Sequence, residues 1–242
     1  MGAVLRLTLR QLGGRRRLAV VFFLAAVPVG LAILLNALLA QEADFTDGFV
    51  GGIIDATMIG IVLPIVVMTL GTAAFGNEVE DRTLNMLVLK PISRLSIVLP
   101  KLMASAMIAA PLLVGATVVI VLVALGDGGA RAVLAAAAAL LVGVMTYAAI
   151  FTWAGLLSPH ALGFALVYVF LWETLVNSFL PGARYASVRG YTVGVLHGLD
   201  DTTFASLGEN AIDLSWALAL AGLTIVVFTL LTVLRLKRMD VP

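Results

Sequence analysis

The sequence contains no cysteine, which excludes disulfides, thiolate metal sites and cysteine nucleophiles. It has only two histidines, His160 and His197, too few for a histidine-rich metal site. No phosphate-cradling Gly-Lys-Ser/Thr loop occurs, so a Walker site for ATP is absent and no cofactor is expected in this chain. Charge is scarce: Asp, Glu, Lys and Arg make up 12% of 242 residues, where soluble domains carry about 25%. A net charge of +1 provides no broad positive field, and so no nucleic-acid partner is indicated. The apolar stretches lack the alternation of barrel strands.

What remains is apolar. The chain is 62% hydrophobic with a mean hydropathy of +1.11. A bilayer crossing takes about 20 mostly apolar residues, because backbone amides in hydrocarbon must be satisfied within a helix. Six runs qualify, at about 18–39, 53–76, 102–125, 132–157, 161–181 and 212–234. They predict an all-α integral membrane protein, a six-helix bundle forming one domain over residues 1–242. The first run follows Arg15, Arg16 and Arg17 but is too long, and too poor in a small-x-small cleavage site, for a signal peptide. Twelve of the fifteen basic residues lie before the first run, between the second and third, or after the sixth. The positive-inside rule makes those segments cytoplasmic, with both termini, and the plasma membrane is the expected location. Leu5, Leu9 and Leu12 recur at helical spacing beside Arg6 and Arg10, which predicts a short amphipathic helix in the lipid interface; a disordered basic tail is the alternative.

The connection between the second and third runs is specialised. It reads Asn77-Glu78-Val79-Glu80-Asp81-Arg82-Thr83-Leu84, then Leu87, then Lys90-Pro91-Ile92-Ser93-Arg94, and reaches Lys101. Asp81 can cap a short helix with Leu84, Leu87 and Val88 as its apolar stripe; Pro91 ends it, and Ser93 is placed to cap a second short helix. Such a helix-turn-helix is a handle for a soluble partner, or else an amphipathic segment on lipid with Arg94 and Lys101 touching phosphates.

This segment resembles the first cytoplasmic loop of ABC-2-type transporter permeases: acidic residues before Thr83-Leu84, a leucine, Pro91-x-Ser93-Arg94, and a lysine opening the next span. Arg82 stands where that family commonly has glycine. The resemblance implies a membrane permease subunit of an ATP-driven exporter, a homodimer or a pair with a paralogous permease. An ATP-binding cassette ATPase would be the partner and would hold the ATP and Mg. It further implies that Glu78, Glu80, Asp81, Arg82, Leu84 and Leu87 form a coupling helix against that ATPase, while Pro91, Ser93 and Arg94 turn the chain back to the membrane.

Ionisable groups inside spans are costly and therefore candidates for function. Glu173 and Asn177 share a face of the fifth run one turn apart, suited to an interior polar contact, a substrate contact or a proton relay. Asp55 and Asp213 lie near the outer ends of their runs, within reach of headgroup water. The connection from Gly182 to Ala211, with Arg184, Tyr185, Arg189, Tyr191, His197, Asp200, Asp201 and Phe204, reads as a half-buried external lid or a solvated loop; family resemblance adds short re-entrant helices there. Pro28, Pro64 and Pro111 can kink their helices. Asp127-Gly128-Gly129-Ala130-Arg131 resembles part of a lipid-headgroup transferase signature but is one residue short and lacks the further aspartates. An ion-gradient-driven secondary transporter is the alternative function; it needs titratable groups at the midplane, and Glu173 is the one available.

Overall fold

The computed structural model describes residues 2–39, 50–81, 93–126, 129–158, 160–176 and 181–238. Helices account for all of the regular structure among them. Helix α1, Gly2–Leu12, buries Thr8 and Leu12, with Leu5 and Leu9 half-buried on the same side, while Arg6 and Arg10 stay exposed. The helix packs its apolar stripe against the bundle, whereas the leucine spacing predicts one lying in the lipid interface. It stops at Gly13, whose amide bonds Leu9 O at 2.9 Å, and α2, Arg15–Leu39, follows.

Three further long helices precede the next break in regularity. Helix α3, Val50–Glu80, is a π-helix over Ile54–Val62 and an α-helix from Leu63. Helices α4, Leu95–Leu125, and α5, Ala130–Leu157, follow. The last helix, α8, is Leu214–Arg238. These five, α2, α3, α4, α5 and α8, are long and apolar enough to cross a membrane. All begin before or end beyond the predicted limits, because flanking polar residues join a helix at no cost once its apolar part is fixed.

Helix α5 is the hub and packs on α3, α4, α7 and α8. Its small residues permit close approach. A side chain at Gly155 would overlap the Thr72 carbonyl of α3, and one at Gly71 would meet Phe151 at 2.9 Å. In α3 and α5, 61% of the most apolar stretch is buried, against 22%, 28% and 17% in α2, α4 and α8. The first two are interior, and the other three turn most of their surface outward. At one end of the bundle Phe75, Ile97, Leu156 and Leu236 tie together α3, α4, α5 and α8. Asn36 Nδ2 donates to Val123 O at 3.1 Å and sets the far ends of α2 and α4 side by side, so α1 lies at the same end as the Phe75 cluster.

The fifth predicted span is described in part. It forms an α-helix over Ala161–Tyr168 and a π-helix over Val169–Val176, together α6; residues 177–180 lie outside the described residues. The segment expected as an external lid or loop, where the resemblance implied short re-entrant helices, contains α7, Val188–Leu199, buried from Val188 to Leu196 apart from half-exposed Arg189. Two 3₁₀ turns, Pro181–Ala186 and Ala205–Asn210, flank it. Arg131 near the start of α5 bonds Leu199 O at 3.0 Å, while Thr192 packs against Gly143, about 18 Å further down α5. Helix α7 therefore begins deep in the bundle and climbs to its outer end.

Candidate functional site

Two clusters of buried charge stand out among the described residues, one at the Phe75 end of the bundle and one deep within it. At the Phe75 end, Glu78 on the last turn of α3 faces Lys101 on the second turn of α4. Lys101 Nζ donates to Glu78 Oε1 at 2.7 Å and to the Ala74 carbonyl, and stands 4.5 Å from the centroid of the Phe75 ring. Lys101 is fully buried and the Glu78 side chain is 10% exposed. The ammonium is thus compensated by a carboxylate, a carbonyl and an aromatic face. This position corrects the alternative in which Lys101 touches lipid phosphates. Glu78 Oε2 is buried without a hydrogen-bond partner.

Of the other residues assigned to coupling, Glu80 and Asp81 are exposed where α3 ends, and the Asp81 amide closes the helix on Asn77 O at 2.9 Å. Arg82, Leu84, Leu87 and Pro91 lie outside the described residues, as does the first short helix expected there. Ser93 does act as a cap, its Oγ accepting from Ser96 N at 3.3 Å. The helix it caps is α4 itself, so the expected second short helix is the first two turns of a 31-residue helix. Arg94, half-buried, is the residue between that cap and the helix.

The second cluster surrounds the deep N-terminus of α7. A helix N-terminus presents unbonded amides and a partial positive charge, which hydrocarbon cannot satisfy. Glu173, 2% exposed, supplies the counter-charge from α6. Its carboxylate accepts from Val188 N at 3.0 Å, Arg189 N at 3.2 Å, Ser187 Oγ at 2.5 Å and Tyr168 Oη at 3.0 Å. Ser187 also accepts from Gly190 N at 3.2 Å, the usual act of a serine N-cap. Among the readings open for Glu173, the geometry supports the interior polar contact. Asn177, its expected neighbour, is outside the described residues.

One residue further, Arg189 turns to α3 and makes a two-pronged ion pair with Asp55, Nε to Oδ1 at 3.0 Å and Nη2 to Oδ2 at 2.8 Å. Asp55 thus faces an arginine, where headgroup water was expected. Gly60 lies beside the pair, where a Cβ would be in ordinary contact with Arg189 Cζ at 3.8 Å. Both carboxylates that hold α7 stand on π-helical segments, Ile54–Val62 and Val169–Val176. Such segments recur at functional sites. The Tyr147 hydroxyl, from α5, is buried beside Glu173, Tyr168 and Arg189.

At the outer end, burial raises the Asp200 carboxyl, but hydrogen bonds from Thr202 Oγ1 at 2.8 Å and Thr203 N at 3.2 Å, with Arg131 nearby, outweigh it and hold the group below its usual range. Arg131 also pairs with exposed Asp201 at 3.3 Å. In the other half of the bundle α5, α6 and α8 enclose a cavity of about 370 Å³ walled by Ile150, Trp153, Leu157, Phe164 and Phe228, a space for apolar groups alone.

Sequence reasoning missed Ser187, Arg189 and Tyr168 as partners of the two carboxylates. A signal for α7 was present: Gly190, Gly194 and Gly198 recur every four residues, the spacing of close helix contacts. A Cβ on Gly194 would meet Ile212 O at 2.7 Å, and one on Gly198 would meet Leu214 Cβ at 2.7 Å.

Comparison with known proteins bears on the whole arrangement. No curated protein matches the chain. The family model described as ABC-2 family transporter protein matches residues 14–180, from the start of α2 through α6, and so includes Glu78, Lys101, Asp55 and Glu173. The match covers well over half of the sequence, and with five apolar helices long enough to cross a membrane the chain is a membrane protein of the ABC-2 transporter family.

Proposed function

We propose that the chain is the permease subunit of an ATP-driven exporter, working as two copies, or with a paralogous permease, on two cytoplasmic ATP-binding cassette subunits. ATP and Mg belong to those subunits, and hydrolysis takes place there. The observation that carries this reading is the buried tie between Glu78 and Lys101. The chain leaves α3 at Glu80 and Asp81 and re-enters at Ser93, and the tie clamps the two helices directly above that segment. A push on residues 81–94 from the cytoplasm moves α3 and α4 together, and α3 carries it through the bundle to Asp55. Closure of the ATPase pair would thus shift the population between inward-open and outward-open bundles. The exposed faces of α2, α6 and α8, with Phe22, Phe23, Phe164 and Trp216, serve lipid or a second copy.

The gradient-driven alternative needs a titratable group free at mid-depth. Glu173 is instead committed to four donors that hold α7. The test is co-purification of a tagged chain from mild detergent. An ATP-binding cassette subunit is expected to accompany it, and to be lost with Glu80→Lys/Asp81→Lys while the permease stays folded. Recovery without any ATPase in several detergents, or undiminished recovery of the ATPase with the double variant, defeats the proposal.

A further inference from the structure

Helix α7 is held at its deep end by two carboxylates of different character. Glu173 is 2% exposed and accepts from at least four donors. Pulling α7 away from it would leave a carboxylate and two helix amides unsatisfied in a low-dielectric interior, a loss of several strong hydrogen bonds at once. Asp55 and Arg189 keep 21% and 28% of their side-chain surface exposed. The pair is less enclosed than Glu173 and has fewer donors to lose, so this contact opens at lower cost. It is the one ion pair joining α3 to α7 among the described residues. Asp55 sits on the second residue of the π-helical stretch of α3, where the hydrogen-bond ladder is already irregular and a change of register costs less than in an α-helix.

We propose that Asp55 and Arg189 form a releasable latch between α3 and a rigid body composed of α6 and α7, with Glu173 as the permanent joint inside that body. When the pair parts, α6 and α7 swing together away from α3, and the first space to open is the junction where Leu63 of α3, Gly143 of α5 and Thr192 of α7 meet. A Cβ on Gly143 would lie 2.7 Å from both Leu63 Cδ2 and Thr192 Oγ1, so the closed junction has no room for water. The role of this opening in a transport cycle rests on the permease reading; the latch itself does not.

The lack of native cysteine makes the latch directly measurable without an ATPase. Thr192 is fully buried, and Thr192→Cys in lipid nanodiscs should react slowly with a water-soluble maleimide. Adding Asp55→Asn or Arg189→Ala should raise that rate at least tenfold, and Asp55→Glu, which retains the carboxylate, should stay within threefold of the starting rate. Ala104→Cys, fully buried on α4, reports general loosening and should stay slow throughout. Ala205→Cys, exposed at the outer end, should react quickly in every background. Unchanged labelling at Thr192→Cys in both pair-breaking variants overturns the latch. So does equal acceleration at Ala104→Cys, which means unfolding, or acceleration by Asp55→Glu as large as by Asp55→Asn, which means packing and not charge. Because the ATPase is absent, failure here leaves the co-purification result standing, and failure of co-purification leaves the latch standing.

Discussion

Lys101 shows how much of a charged side chain's role depends on what lies across from it. From the sequence it is a lysine opening a span, and Glu78 is an acid in a loop facing the cytosol; neither position announces the other across a separation of 23 residues. The structure sets them face to face because α3 continues to Glu80 and α4 begins at Leu95, longer at that end than their apolar runs indicate. Removing one partner strands the other. Lys101→Met leaves the Glu78 carboxylate in a pocket nine-tenths closed, and loss of a buried partner costs about 3–5 kcal/mol. The double variant Glu78→Met/Lys101→Met removes both charges and retains volume, so most of that stability should return. Thermal unfolding in detergent checks this: a large fall in Tm for Lys101→Met and a small one for the double variant. Equal falls would assign the stability to packing around Phe75. Glu173 was legible as a buried contact because an acid inside an apolar run must find donors. Which donors it finds was not legible, since they come from backbone amides and a serine across an interruption in the helix.

At the level of elements, the long apolar helices follow from hydropathy alone, because hydrocarbon permits nothing else. Helix α7 does not, since only half of its twelve residues are apolar, with three glycines and Arg189, Thr192 and His197 among them, and so it reads as a connection. Its glycines decide its packing. Gly194 lies against Ile212 and Ala217 so closely that a Cβ would stand 2.7 Å from Ile212 O, 2.8 Å from Ile212 Cγ1 and 3.0 Å from Ala217 Cβ. Gly194→Val should therefore lift α7 off α8, with an overpacking cost of about 1–3 kcal/mol. Gly222→Val on α8 meets nothing within 4 Å and should be close to neutral. Hydrogen exchange separates the two: amides of α7 should lose protection in Gly194→Val while those in the middle of α5 retain theirs, and Gly222→Val should resemble the parent. Protection of α7 unchanged by Gly194→Val would mean that the helix is held by its two carboxylates alone.

On the scale of the whole molecule, the question is which side each end faces. Five helices of full length would place the termini on opposite faces; a complete sixth crossing would place them together. The contacts favour the second outcome. Helix α5 ends with Leu156 in the cluster that also holds Leu236 of α8, so α6 sets out from the end of the bundle where α8 finishes. By Glu173 it has climbed to the buried start of α7, and α7 carries the chain on to Leu199 and Arg131 at the opposite end. Two half-helices in series would then do what one span does. The arginines of α1 and the last turn of α8 thus share a face, the one the positive-inside rule assigns to the cytoplasm. Single cysteines in this cysteine-free chain test the assignment on intact cells. Ala205→Cys should react with an impermeant maleimide from outside, whereas Gln11→Cys and Arg238→Cys should react only after the membrane is opened. If Gln11→Cys and Arg238→Cys label from opposite faces, the α6 and α7 pair does not cross. The twelve basic residues would then be divided between the two sides, and a cytoplasmic ATPase at the α3–α4 turn would lose the charge asymmetry that supports it.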